Sequence, residues 1–361
     1  MAKKPRKKRH ILLTILLCLF AVVLILAAIT GAMWLSGRRS MSQQPDAPAP
    51  APIHLPTQEI IEELPEVSEA VSEPVHDEVL DEYTFRHNGK LYRQKQNVKT
   101  FLVLGIDRYT DDNLSDSEFR TDAHADVVLW TVLDLDANKT SFVSIPRDTI
   151  VSMSSYDKDG NYTGRGTGQL ALAFRYGDGH LESCRLVEEA VSGLLYDIPI
   201  DGTGALFLDS IGAINDVLGG VTLTPISTFG PFVEGQEKTL TRQEAMQFIQ
   251  DREMTEYGNL NRMENQKVYF RAMMKQMASK VLKQPSAVLE FYRAVADYLI
   301  SDLKASEIVY LGTQAAKTDF SGNIRTLPGE VTLGEDNYAR YYADTDAVID
   351  LILSLYYEEV G

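Results

Sequence analysis

FLVLGIDR, residues 101–108, decides the fold class of this 361-residue chain. Phe101–Ile106 is a run of apolar and small residues without polar alternation, as a strand covered on both faces requires. It stops on a charged pair, Asp107-Arg108. Two more such runs follow, Asp126–Asp134 (DVVLWTVLD) and Thr140–Ile145 (TSFVSI), joined by a turn at Asp136-Ala137-Asn138. Upstream, Tyr83–Lys95 reads as a hairpin turning at Asn88-Gly89. Downstream the apolar period becomes helical: Leu181–Leu195, Ala205–Leu218, a helix opened by the capping box Thr241-Arg-Gln-Glu244 and running to Arg252, Asn261–Lys283, Pro285–Leu303, Ser306–Lys317 and Asp344–Tyr357. A strand at Gly220–Thr224 interrupts the series. Strands alternating with helices predict a layered α/β domain over residues 83–361.

The strand ends carry the chemistry. Asp107 and Arg108 follow the first run, Arg120, Asp122, His124 and Asp126 lead into the second, and Ser144-Ile-Pro-Arg-Asp-Thr149 closes the third. Ligands of open α/β sheets sit beyond the carboxyl ends of strands. Paired carboxylates there suit Mg²⁺, an oxygen-seeking cation, and arginine forks suit phosphate. Singly, each of these residues reads better as a solvated loop charge or a helix-capping salt bridge. The chain has no GxxxxGK[ST] loop, G-x-S-x-G elbow or CxxC pair, and its six histidines are not spaced as metal ligands. Cys18 and Cys184 are too few for a disulfide framework.

The charge is divided along the chain. Residues 1–40 hold eight Lys or Arg and no acid, residues 41–85 hold eleven acids and no Lys or Arg, and the whole chain is at −16. A basic head on an acidic body speaks for a membrane, and the acidic body speaks against nucleic acid. Between the basic residues lie 27 uncharged positions, Ile11–Gly37, long enough to cross about 30 Å of hydrocarbon. Six basic residues precede that run, which keeps the amino terminus cytoplasmic and puts the rest outside. Trp34 suits the outer interface. The expected order is a basic cytoplasmic tail (1–10), a single transmembrane anchor (11–37), an acidic Pro-rich stalk (38–82) that holds the domain away from the bilayer, and the extracytoplasmic domain (83–361).

The series GIDR (105–108), HAD (124–126), VSIPRDT (143–149), DVLGGV (216–221) and AMQFIQDR…NLNRMENQ (245–266) resembles the LytR–CpsA–Psr family across residues 98–283. That resemblance implies a layered α/β/α domain with a mixed central sheet behind a single transmembrane helix, and a membrane-anchored, Mg²⁺-dependent phosphotransferase. Such enzymes move an anionic glycopolymer, of the teichoic acid or capsule type, from undecaprenyl diphosphate to peptidoglycan. Carried onto matching positions, it implies Asp107, Asp126 and Arg147 as catalytic and the two aspartates as the magnesium side. Arg108, Arg120, Arg147, Arg252, Arg262 and Gln266 are then expected around the pyrophosphate. Apolar helix faces such as Val187, Val191, Leu194, Leu206, Phe207 and Ile211 would form ordinary core or a pocket for the polyprenyl chain.

Several positions depart from the family pattern. His124, Gln250 and Asn265 stand where the pattern has arginine, and Asn259 where it has aspartate; Gln169 and Ala171 stand where many members have Lys and Asn. Each well-placed charged contact to phosphate contributes about 1.5–3 kcal/mol, so three lost guanidinium groups weaken the expected grip. Arg120, Arg165 and Arg175 are candidates to compensate. The alternatives are a non-catalytic protein that binds polyprenyl phosphate or glycopolymer, and a hydrolase with water as acceptor. A transcriptional role is opposed by a cytoplasmic tail of only ten residues.

Overall fold

We describe the protein from a computed structural model, which covers residues 29–43, 48–52, 77–107, 121–251, 258–319, 324–334 and 338–360. Residues 29–43 are helical (α1). Three short strands follow, Glu78–Val79 (β1), Thr84–His87 (β2) and Lys90–Gln94 (β3), then three long ones, Val98–Ile106 (β4), Ala125–Asp134 (β5) and Lys139–Ile145 (β6). Ile150–Tyr156 (β7) and Tyr162–Gln169 (β8) form a hairpin that runs into a 3-10 helix at Leu170–Tyr176. Next come Leu181–Leu194 (α2), Gly202–Phe207 (β9), Asp209–Leu218 (α3), Thr222–Leu223 (β10), Lys238–Thr239 (β11), Arg242–Gln250 (α4), Gly258–Lys283 (α5) and Ala287–Val295 (α6). Leu299–Ser301 (β12), Ala305–Ala315 (α7), Arg325–Thr326 (β13), Gly329–Leu333 (β14), Ala339–Ala343 (β15), Thr345–Tyr356 (α8) and Tyr357–Glu359 (β16) complete the order.

The central sheet has six strands in the order β12-β9-β4-β5-β6-β13. It is mixed: β4 pairs parallel with β9 and antiparallel with β5, and β6 pairs antiparallel with β5 and parallel with β13. β4 and β5 alternate little because both faces are covered, and Leu102, Leu104 and Trp130 are fully buried. One core lies between this sheet and α2, α8 and the small β1-β2-β3-β16 sheet; the other gathers α3–α7 around Phe232, Phe248 and Tyr269.

Two readings change. Residues 205–218, expected as one helix, are the strand β9 followed by α3, because Ala205 and Phe207 pair beside β4 before the helix begins. Residues 285–303, expected as one helix, hold α6, a short 3-10 turn and the edge strand β12. In both, apolar stretches too short to separate period 2 from period 3.6 hid a strand. The hairpin β7–β8 was not foreseen; its second strand, YTGRGTGQ, is glycine-rich and largely exposed. The expected transmembrane span, residues 11–37, lies mostly outside the described residues. Among those described, no helix is long and apolar enough to cross a membrane.

Candidate functional site

The register of β4 on β5 positions the first carboxylate. Gly105 faces Val127 and Ile106 faces Ala125, so Asp126 is an extra residue in β5, a bulge. Bulges turn a side chain away from the regular pleat and recur beside active sites. Gly105 makes the crossing possible, since a Cβ there would stand 2.9 Å from Val127 Cβ. Asp107 continues from the same strand end, and its Oδ1 accepts the His124 backbone N–H at 2.8 Å. His124 O in turn accepts the N–H groups of Asp107 (3.2 Å) and Asp126 (3.1 Å), which ties the two aspartate backbones to one turn.

β6 delivers the arginine. Pro146 has no N–H to continue the ladder, and the turn closes as Thr149 N–H and Oγ1–H both donate to Pro146 O, at 3.0 and 2.6 Å. Arg147 thereby leaves the sheet toward the Asp126 carboxylate and donates from Nη1 to Oδ1. From the other side α5 presents Arg262, whose Nη1 lies 3.2 Å from Asp126 Oδ2. Gln266, one turn on along the same face, lines the same small cavity and donates to Ile249 O at 3.1 Å. Asp126, Arg147 and Arg262 are each largely buried, so these charges act with little screening from water.

Two features point to an anion. The Asp126 carboxylate offers one oxygen to each of two guanidinium groups, so the two arginines share its single charge. Arg147 Nε is buried and has no hydrogen-bond acceptor among the described residues; the nearest carboxylate, Asp148 Oδ1, is 3.8 Å away. An unmet buried donor is costly unless a ligand takes it. Asp107 and Asp126, on neighbouring strand ends, fit in kind and number the one or two carboxylates Mg²⁺ takes beside substrate phosphates. Both are engaged in this structure, Asp126 with the arginines and Asp107 with His124 Nδ1 at 3.4 Å. No group of three or more His, Cys, Asp or Glu suited to a metal occurs among the described residues.

The structure thus brings together Asp107, Asp126, Arg147, Arg262 and Gln266 of the expected set. Arg108, Arg120 and Arg252 lie outside the described residues. Of the other candidates to compensate, Arg165 and Arg175 are occupied elsewhere: Arg165 pairs with Glu189 of α2, and Arg175 donates from Nε to Thr121 O at 3.2 Å and lies 3.5 Å from Asp122. Asn265, standing in place of an arginine, is buried. Asp148 was quoted only as part of its motif and given no role, yet it is a hub. Gln169 Nε2 bridges its Oδ1 (3.3 Å) to Ala339 O (2.7 Å), and its backbone O accepts Tyr341 N–H at 2.9 Å. Its position directly after Arg147 was the available signal.

A family model described as the LytR_cpsA_psr family matches residues 63–352. The polyisoprenyl-teichoic acid–peptidoglycan teichoic acid transferase TagU of Oceanobacillus iheyensis is 28% identical over 278 residues, 73% of this chain and 77% of that protein. Across the three matching TagU proteins the chain spans from 50% to 77% of their length. Among solved structures, TagV of Bacillus subtilis superposes with a TM-score of 0.55 at 20% identity, over 72% of this chain and 97% of TagV. TagT bound to LIIa-WTA gives 0.51 at 17%, over 72% and 89%. These structures share the fold.

Proposed function

This chain belongs to the LytR–CpsA–Psr family, and from that premise we propose that it is a phosphotransferase acting on a lipid diphosphate that carries an anionic glycopolymer, with peptidoglycan as acceptor. The donor would be of the polyprenyl class, the anchor a single transmembrane segment within residues 11–37, and the domain would face outward. The observation that carries the reading is the pair of buried guanidinium groups, Arg147 and Arg262, held on one carboxylate with Arg147 Nε unmet.

The step is an in-line displacement. An acceptor sugar hydroxyl forms a new O–P bond at the phosphorus bearing the glycopolymer, the bridging P–O bond breaks, and polyprenyl monophosphate leaves with the electron pair. The hydroxyl proton passes to a carboxylate, Asp107 or Asp126. Arg147 and Arg262 exchange Asp126 for the diphosphate oxygens and stabilise the charge gathering on them. Asp107 and Asp126 would hold Mg²⁺, which when bound neutralises part of the diphosphate charge. Release of Asp126 from its arginines and arrival of the diphosphate are then one event, so donor binding frees the carboxylate that the chemistry needs.

Reconstituted full-length protein given a polyprenyl-diphosphate glycopolymer and peptidoglycan is expected to transfer the polymer, and to stop on chelation of divalent cations. Asp126→Asn is expected to abolish transfer. Transfer at the wild-type rate in Asp126→Asn would overturn the assignment. The second reading, a binder without turnover, is favoured by His124 standing on Asp107 where the family pattern has an arginine. It predicts tight donor binding with the donor recovered unchanged in the presence of acceptor and Mg²⁺.

A further inference from the structure

The segment between the expected anchor and the domain is docked at three places, which changes what the acidic stretch does. Helix α1 lies antiparallel to α7: the Trp34 and Tyr310 rings meet at 5.8 Å with a tilt of 58°, Gly37 lies against Ser306, and Ser40 Oγ donates to Glu307 Oε1 at 2.5 Å. At Gly37 the two helices touch so closely that a Cβ would overlap the Ser306 carbonyl and crowd Tyr310 Cβ at 2.8 Å. Met33 adds a contact to the second core. Trp34 also lies under two cations, Arg38 at 5.4 Å and Lys317 at 6.0 Å.

Residues 48–52 then join the first core. Ala49 and Pro52 are buried; Ala49 N–H donates to Gln94 Oε1 at 2.9 Å, and Pro50 O accepts Tyr357 O–H at 3.1 Å. Gln94 itself is buried, so this hydrogen bond is made away from water. The chain is back on the same small sheet at Asp77, whose carboxylate holds His87 Nδ1 at 2.8 Å and Asn88 N–H at 3.0 Å, and β1 pairs with β2 immediately after. The acidic residues from Glu59 to Glu73 therefore lie between two fixed points on one sheet.

We infer that residues 30–43 are a juxtamembrane clasp that seats the domain directly against the bilayer, and that the acidic segment, whose two flanks are both fixed on one small sheet, is not a spacer beneath the domain. Length agrees. α1 is packed on protein from Thr30, which is buried, so the uncharged run left for the membrane is Ile11–Ile29, 19 residues, which at 1.5 Å per residue gives about 29 Å. Trp34, expected at the lipid interface, instead sits between two helices. Only residues 44–47 separate the clasp from the next docked segment, too few to form a stalk.

The test uses the full-length chain in membranes, with Cys18→Ser to remove the membrane-side thiol. A Ser40→Cys/Glu307→Cys pair is oxidised with a mild copper catalyst, and the same sample is then treated with a protease acting at Glu residues. The clasp predicts a high-yield cross-link, after which cleavage in the acidic segment leaves the domain on the membrane. Adding Gly37→Leu is expected to lower the cross-linking rate roughly tenfold, the effect of forcing extra methylenes into a close contact. A pair that stays reduced while both thiols accept a maleimide, with the domain released by the first cut, would overturn the clasp and restore the stalk. Transfer activity enters neither arm, so the outcome is independent of the proposed reaction.

Discussion

At the lower end of the central sheet, where β4 begins, Lys99 Nζ lies 3.5 Å from Asp201 Oδ1, and Asp201 Oδ2 accepts Thr100 N–H at 2.8 Å. The Asp201 N–H returns a bond to Thr100 O at 2.8 Å. At the upper end, where β5 begins, Asp126 is shared by Arg147 and Arg262, and Arg147 Nε meets no acceptor among the described residues. Both clusters are largely buried and both pair carboxylates with cations. The lower one closes on itself: one ammonium, one carboxylate and two backbone bonds. The upper one has donors to spare. A closed cluster stabilises a fold and has nothing left for a ligand. An open one stores unmet hydrogen-bonding capacity at the strand ends where ligands of α/β sheets bind.

The sharpest way to break that contrast is to remove one cation from each end. Arg147→Ala is expected to lower transfer by roughly ten- to a hundredfold or more, the loss of one strong phosphate contact, while the urea midpoint moves little because Arg262 still holds Asp126. Lys99→Ala is expected to do the reverse. It takes the cation from a buried carboxylate, at a cost of about 3 kcal/mol, read as a lower urea midpoint, with transfer per folded molecule unchanged. If Arg147→Ala proves the more destabilising of the two, the upper cluster is structural and the assignment of roles fails.

A weaker effect sharpens the same contrast from within the site. His124 Nδ1 lies 3.4 Å from Asp107 Oδ2, at a position where the family pattern puts an arginine. His124→Arg adds a permanently charged fork to the open end and is expected to tighten donor binding about tenfold, as titrated with a polyprenyl diphosphate. An unchanged Kd would mean that this corner of the site does not reach the diphosphate.

Much of this was legible in the residues, and the illegible part has physical causes. FLVLGI and DVVLWTVLD announced β4 and β5 because two-sided burial removes polar alternation, and SIPRD announced its turn because proline ends a ladder. The strand β9 was hidden, since its apolar residues Ala205–Phe207 are too few to separate period 2 from the helical period that α3 continues. The bulge at Asp126 was also hidden: it depends on the pairing register with β4, which no local stretch encodes. The occupation of Arg165 and Arg175 likewise depends on partners, Glu189 and Asp122, that lie 24 and 53 residues away. Residue type gave the site its chemistry; only the packing showed which arginines were spent.

The smallest predicted effect tests the rule that a fully partnered charge is structural. At the start of α4, Thr241 N–H donates to Glu244 Oε2 at 2.9 Å, Thr241 Oγ1 accepts Glu244 N–H at 3.3 Å, and Lys238 Nζ lies 2.8 Å from Glu244 Oε1. The Lys238 ammonium, then the Thr241 N–H, hold the Glu244 carboxyl down to about 2 from its ordinary 4.5. A carboxyl lowered by folding contributes its stability above its unfolded value and loses it as pH falls through the folded one. The contribution is therefore full at neutral pH and fades between about 4.5 and about 2. Thr241→Ala is expected to cost about 1 kcal/mol at pH 7 by urea unfolding, to leave donor binding unchanged, and to differ less from the wild type at pH 3. A Thr241→Ala variant with normal stability and weakened donor binding would show that a closed cluster can also serve a ligand, and the distinction between the two ends of the sheet would lose its basis.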